Sequence, residues 1–139
     1  MSDRSLVLDA NILIRAAVGV KALYLIEANA DQVRFFAPDV AFNDARAYLP
    51  ELIRRRGLCV DSGLCAFEAL RESITLLDEP FYEPLKSRAL QRVGRRDPDD
   101  WPILACALTL ECPIWTEDRD FFGTGVPVWT TDRVSMYLD

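Results

Sequence analysis

The sequence predicts an α/β fold, a three-layer α/β/α sandwich around a central, mostly parallel sheet. Short apolar runs alternate with longer stretches of helical period along the whole chain. The apolar runs lack a period of two, as strands buried on both faces do. No repeat, low-complexity tract or linker interrupts the alternation.

The elements follow in order. Ser5–Leu8 reads as a buried strand that ends in Asp9. Ala10–Ala17 reads as a helix that Gly19 interrupts, and Lys21–Ala30 is helical by period. Val33–Phe36 is a second strand, closed by Ala37 and Pro38. From Asp39 a helix is expected to about Tyr48, with a kink or a fresh start at Pro50 and an end at Gly57. Asp61 or Ser62 is expected to cap a helix through Glu72, followed by a strand at Ile74–Leu77. Tyr82–Val93 is amphipathic and helical, and a further helix is expected over Pro102–Glu111. Pro113–Thr116 and Val126–Trp129 complete the strands, with a turn or helix near Val134–Leu138.

Composition narrows the chemistry. The 139 residues contain no histidine, which removes serine–histidine, cysteine–histidine and paired-histidine catalysis. Hydrolysis must then rest on carboxylates, with a metal. The four cysteines, at 59, 65, 106 and 112, do not have zinc-site spacing and are expected to be reduced core thiols. No apolar run approaches the ~20 residues of a membrane span, and no signal segment opens the chain, so a cytoplasmic location is expected. Net charge is −6, yet arginines outnumber lysines fourteen to two. They cluster at Arg54–Arg56 and at Arg92, Arg95 and Arg96, where they could hold phosphates or simply complement helix ends.

Candidate site residues follow from strand ends and one proline. In open α/β sheets ligands collect beyond the carboxyl ends of the strands. Asp9 stands there directly after Leu6–Leu8, and Glu117 and Asp118 follow Ile114–Thr116. Capping of the following helix is the alternative reading of Asp9. Pro102 is expected to start its helix, with Trp101 kept out of helical torsions. Asp100 then sits at the mouth of that helix, and Asp97 and Asp99 lie on its approach. One helix needs one capping residue, so the surplus acids point to a cation. Asp44 lies on the flank of an apolar stripe, and Glu51 shares that flank as an alternative. Carboxylates that converge repel one another unless a cation offsets them, and Mg²⁺ takes oxygen ligands. Trp101, Trp115, Phe121, Phe122 and Trp129 gather around these acids, as core packing or as base-stacking platforms.

Four segments carry a resemblance. LVLDANILI (6–14), PDVAFNDARAYLPEL (38–52), RRDPDDWPILACALTL (95–110) and IWTEDRDFFGTGVPVWTTDRV (114–134) resemble, in order, the PIN-domain nucleases, among them the VapC-type toxins. The resemblance implies a single PIN-like domain over 1–139 with four acids facing a central groove. These fall on Asp9, Asp44, Asp100 and Asp118, as catalytic and metal-binding residues. Asp44 stands where the family has glutamate. Asn11 and Thr116 look like the residues that orient those acids, and Asp97 and Asp120 look like auxiliary ligands. The resemblance further implies Mg²⁺- or Mn²⁺-dependent endonucleolytic cleavage of RNA, a small antitoxin as partner, and a homodimer. The alternative is a catalytically inactive PIN scaffold that binds RNA or a protein. A haloacid-dehalogenase-type phosphatase would also place an aspartate after its first strand, but Asn11 stands where its second aspartate belongs.

Overall fold

A computed structural model describes residues 4–94 and 96–139; Arg95, one member of the second arginine cluster, lies outside the described residues. Five strands form one parallel sheet: β1 (Arg4–Leu8), β2 (Val33–Pro38), β3 (Ile74–Leu77), β4 (Ile114–Trp115) and β5 (Val128–Trp129). Their order is β3-β2-β1-β4-β5. The chain therefore grows outward in one direction from β1 and later in the other from β4. The point where the order reverses, between β1 and β4, leaves a crevice beyond their carboxyl ends.

Register makes that crevice level. Val7 pairs with Ile114 and Leu8 with Trp115, and the Asp9 N–H donates to the Trp115 carbonyl at 3.1 Å. Asp9 and Thr116 thus leave the sheet side by side.

Helices cover the sheet in two groups. α1 (Ala10–Val18), α2 (Lys21–Asn29), α3 (Asp39–Arg55) and α4 (Val60–Ala69) pack among themselves. α5 (Glu79–Tyr82), α6 (Lys86–Val93) and α7 (Trp101–Leu110) form the second group, with α7 against β1 and β2, and α8 (Ser135–Leu138) closes the chain. This is the predicted three-layer sandwich. Leu6, Val7, Leu8, Phe35, Ile114 and Trp115 are fully or almost fully buried in its centre. The Phe42 and Phe67 rings stack at 4.2 Å between α3 and α4. Among the described residues no helix is long and apolar enough to cross a membrane.

Several expectations need correction. α3 runs as one helix through Pro50, so no fresh helix starts there. Proline in a helix interior costs about 3 kcal/mol, but Ala45, Leu49 and Ile53 are all buried on one stripe that spans it, so packing on both sides of Pro50 offsets that cost. Gly57, at φ +71°, then turns the chain as glycine can. Cys59, and neither Asp61 nor Ser62, occupies the N-cap of α4, and a 3-10 turn over Leu70–Glu72 follows that helix. The segment read as one helix from Tyr82 to Val93 is α5, a 3-10 turn over Glu83–Leu85 and α6. Pro84 within that turn lacks the N–H a continuous helix would use. Trp101 is already helical, at φ −58° and ψ −34°. Its ring packs on Tyr82 at 5.5 Å and carries the Lys86 ammonium over its face at 4.8 Å, contacts that offset the mild bias imposed by Pro102.

The cysteines divide. Cys106 and Cys112 are buried as expected, whereas Cys59 and Cys65 are exposed, and all four are free. Burial pushes the Cys106 thiol far up and that of Cys112 to about 12. Hydrogen bonds from Ser62 hold the Cys59 thiol below its ordinary value.

Candidate metal centre

The crevice between β1 and β4 is lined from three loops. Asp9 leaves β1 as the N-cap of α1, and its Oδ1 accepts from the Ala10 N–H at 2.7 Å. Its Oδ2 accepts from the Thr116 hydroxyl at 2.7 Å and from the Asn11 amide at 3.3 Å. One oxygen thus caps the helix, and the other is held by Thr116 and Asn11 at the strand ends.

Thr116 is the hub. Its Oγ1 donates to Asp9, accepts from the Asn11 amide at 3.2 Å, and accepts from the Asp118 N–H at 2.9 Å. Asn11 completes the lattice by accepting from the Glu117 N–H at 3.2 Å. Asp118 in turn accepts from the Asp120 N–H at 2.9 Å, which folds the loop after β4 back over the strand ends. On the other side, Asp97 accepts from the Asp99 N–H at 3.1 Å and starts the 3-10 turn Pro98–Asp100. Asp100 closes that turn and heads α7, and its side chain makes no capping bond.

Carboxylate oxygens of Asp100, Asp118 and Asp120 lie within 4.8 Å of one another. Burial, followed by the charges of Asp9, Asp97, Asp118 and Asp120, pushes Asp100 from 3.8 up to about 7. Burial also raises Asp9, against the hydrogen bonds from Thr116 and Ala10 that pull it down; Asp118 and Asp97 add to the rise. Asp100 Oδ2 is buried and has no hydrogen-bond partner. An unpartnered buried oxygen costs free energy. A cation would satisfy it and offset the mutual repulsion, so the residues present fit a divalent metal such as Mg²⁺ or Mn²⁺.

The structure thus brings together seven of the eight residues singled out in the sequence. Asp9, Asn11, Asp97, Asp100, Thr116, Asp118 and Asp120 share the crevice. Asp120, expected as an auxiliary residue, stands in the tight trio, while both oxygens of Asp9 already accept hydrogen bonds. Asp44 stands apart. It is exposed on α3 and is not among the charges that weigh most on Asp9 or Asp100. Glu51 pairs with Arg54 at 2.6 Å and Arg55 at 3.3 Å on the same helix.

The remaining arginines and aromatics take mainly structural roles. Arg92 donates to the Thr124 carbonyl at 3.1 Å, and Arg96 donates to the carbonyls of Asp120 and Phe122. They clamp the loop that carries Asp118 and Asp120. Trp115 and Phe121 are fully buried, and Phe122 is the most exposed of the aromatic set. Sequence reading missed Glu117 and Thr131 as partners. Glu117 Oε2 accepts from the Thr131 N–H at 2.8 Å and hydroxyl at 2.7 Å, and the Thr131 hydroxyl accepts from the Trp115 indole at 3.0 Å. No local pattern marks a bond between residues fourteen apart in a loop and a strand end.

The Thr116 hub predicts a specific failure. Thr116→Val leaves buried Asp9 without one of its two 2.7 Å donors and the Asp118 N–H without an acceptor. A loss of about 1–3 kcal/mol in denaturant unfolding is expected, with Thr116→Ser close to wild type because it keeps Oγ. A valine variant as stable as wild type would contradict the role assigned to the hydroxyl.

Comparison with known proteins speaks to family and fold. The family model described as "PIN domain" matches residues 7–139. No curated protein sequence matches the chain. Among solved structures, PAE2754 from Pyrobaculum aerophilum is similar at a TM-score of 0.70 and 15% identity, covering 97% of this chain and 89% of that one. VapBC2 from Rickettsia felis, bound to a DNA fragment from its promoter, is similar at 0.66 and 11%, covering 91% and 98%. A toxin–antitoxin complex from Klebsiella pneumoniae is similar at 0.64 and 18%, covering 91% and 97%. At these identities the likeness is one of fold.

Proposed function

The chain belongs to the PIN domain family, and from that premise we propose that it is a Mg²⁺- or Mn²⁺-dependent nuclease that cuts RNA internally. The observation that carries this reading is the meeting of Asp100, Asp118 and Asp120 within 4.8 Å, with Asp100 Oδ2 buried and unpartnered. These three would hold the cation, with Asp9 facing them across the crevice and Asp97 adding negative charge. When bound, the metal supplies a coordinated water of lowered pKa and a positive charge against the phosphoryl oxygens.

The chain's own residues do the rest. Thr116 and Asn11 fix the Asp9 carboxylate and the Asp118 loop, so the carboxylates are set before substrate arrives. Asp100, near 7, can hold a proton on its buried oxygen when no cation is present and release it when one binds. Arg96 and Arg92 keep the Asp118–Thr124 loop from swinging away.

The biological role proposed is that of a toxin neutralised by a small antitoxin, with homodimerisation of the chain. The neighbour from K. pneumoniae, a toxin–antitoxin complex, supports that partner. A non-catalytic scaffold is the second reading, and it rests on Asp44 lying outside the cluster.

The test is cleavage of a total RNA pool by purified protein. Fragments are expected with millimolar Mn²⁺ and none with EDTA. Intact RNA under both conditions would overturn the nuclease reading and favour the scaffold.

A further inference from the structure

We propose that a basic cavity beside the carboxylate cluster is a phosphate-binding subsite for the incoming RNA strand. The inference rests on the nuclease reading above and adds to it a place where the substrate is held. The cavity has a volume of about 320 Å³ and is lined by Arg15, Lys21 and Arg56, together with Gly19 and Thr131. Its lining holds no acid, in a chain whose net charge is −6.

Basic residues often gather at helix C-termini because the helix dipole favours them there. That accounts for Arg15 in the last turn of α1 and for Arg56 at the end of α3. It does not account for Lys21, the first residue of α2, where the dipole disfavours a cation. Three cations from three helices converge on one concavity although the third gains nothing from its own helix. A bound anion gives that arrangement a reason.

These charges are only partly offset elsewhere. Arg54 and Arg55 both pair with Glu51, but among the described residues Arg56 makes no ion pair. Arg15 reaches only to 4.0 Å from Glu117 and its side chain is 54% exposed. Lys21 lies near Asp132, whose carboxyl is held down first by the Thr130 hydroxyl and also by Lys21.

The cavity adjoins the crevice through shared residues. Glu117, which faces Arg15, gives its N–H to Asn11 and receives both Thr131 bonds, and Thr131 lines the cavity. Asp9 and Arg15 are six residues apart at the two ends of α1, about 9 Å along the helix axis. A strand of a few nucleotides spans that distance. A phosphate in the cavity would hold the same strand whose scissile bond lies at the carboxylates. This position beside the cluster favours RNA over an acidic protein segment.

The test is binding of a fluorescent single-stranded RNA in EDTA over a range of salt, so that no cleavage interferes. The double variant Lys21→Gln/Arg56→Gln is compared with wild type and with Arg54→Gln/Arg55→Gln. The cavity variant is expected to bind about tenfold more weakly. Its slope of log K against log salt should be shallower by about 1.4, the value for two lost phosphate contacts on a single strand. The Arg54/Arg55 control should stay close to wild type. Equal affinity and slope in the cavity variant would overturn the subsite. So would poly-glutamate binding that the variant loses while its RNA binding is unchanged, since that assigns the cavity to an acidic peptide. Cleavage with Mn²⁺ is measured in parallel. A wild type that cuts while the cavity variant binds RNA unchanged loses the subsite alone. A wild type whose RNA binding depends on Lys21 and Arg56 but which cuts nothing keeps the subsite and loses the nuclease reading. A wild type that binds no RNA but cuts with Mn²⁺ loses the subsite alone, and one that neither binds RNA nor cuts it loses both.

Discussion

Replacing Asp100 by asparagine is expected to abolish cleavage and, in the absence of metal, to make the protein more stable. The carboxyl is raised to about 7 by burial and by four neighbouring acids. Above that pH it is a charge in a place that resists charge. Asparagine keeps the shape and turns donor N–H groups toward Asp118 and Asp120. The full shift corresponds to about 4 kcal/mol; allowing for the solvent that still reaches the residue, about 1–2 kcal/mol of added stability at pH 8.5 is expected. Cleavage should fall at least about 100-fold, the usual cost of removing one group that stabilises a transition state. Denaturant unfolding and RNA cleavage of one preparation check both halves. A less stable Asp100→Asn protein would mean that the carboxylate serves the fold rather than a ligand.

The second large effect is on the pH dependence of stability. Between the unfolded value of 3.8 and the folded value of about 7, folded Asp100 holds a proton that the unfolded chain has released. Stability from this group is complete below the lower value and declines as pH rises through the upper one. Asp9, also raised, contributes with the same sign; Asp132, lowered by the Thr130 hydroxyl, contributes with the opposite sign. The difference between wild type and Asp100→Asn isolates Asp100 and its interaction with the neighbouring acids. In EDTA the melting temperature of wild type, relative to the variant, should fall by about 3–8 °C between pH 5 and pH 8.5. Saturating Mn²⁺ should remove that fall, because a bound cation stabilises the charged carboxylates. A relative melting temperature that is flat or rises with pH would be incompatible with the crowding seen around Asp100.

How far the sequence reached can be read from particular residues. β3 at Ile74–Leu77 was legible because a short, mostly aliphatic run between helices has few other fates. Asp9 and Asp118 were legible because an acid that follows a buried strand has to emerge at the rim. The continuity of α3 was not, because it depends on the stripe Ala45–Leu49–Ile53 meeting a core that forms only on folding. The prominence of Asp120 was also hidden. It arises when Arg96 captures two carbonyls of the loop, over a separation of more than twenty residues. Asp44 shows the converse limit. Its position along the chain suited the motif, but the helix turns it to solvent.

Calorimetric titration of the metal-free protein with Mn²⁺ at pH 7 bears most directly on whether the acidic crevice is a cation site. Saturable binding at submillimolar to millimolar concentration is expected, with proton release that appears when buffers of different ionisation enthalpy are compared. Asp100→Asn should weaken that binding at least about tenfold, as loss of a direct ligand must exceed loss of an outer one. Absence of saturable binding at millimolar Mn²⁺, or binding unchanged in Asp100→Asn, would contradict it.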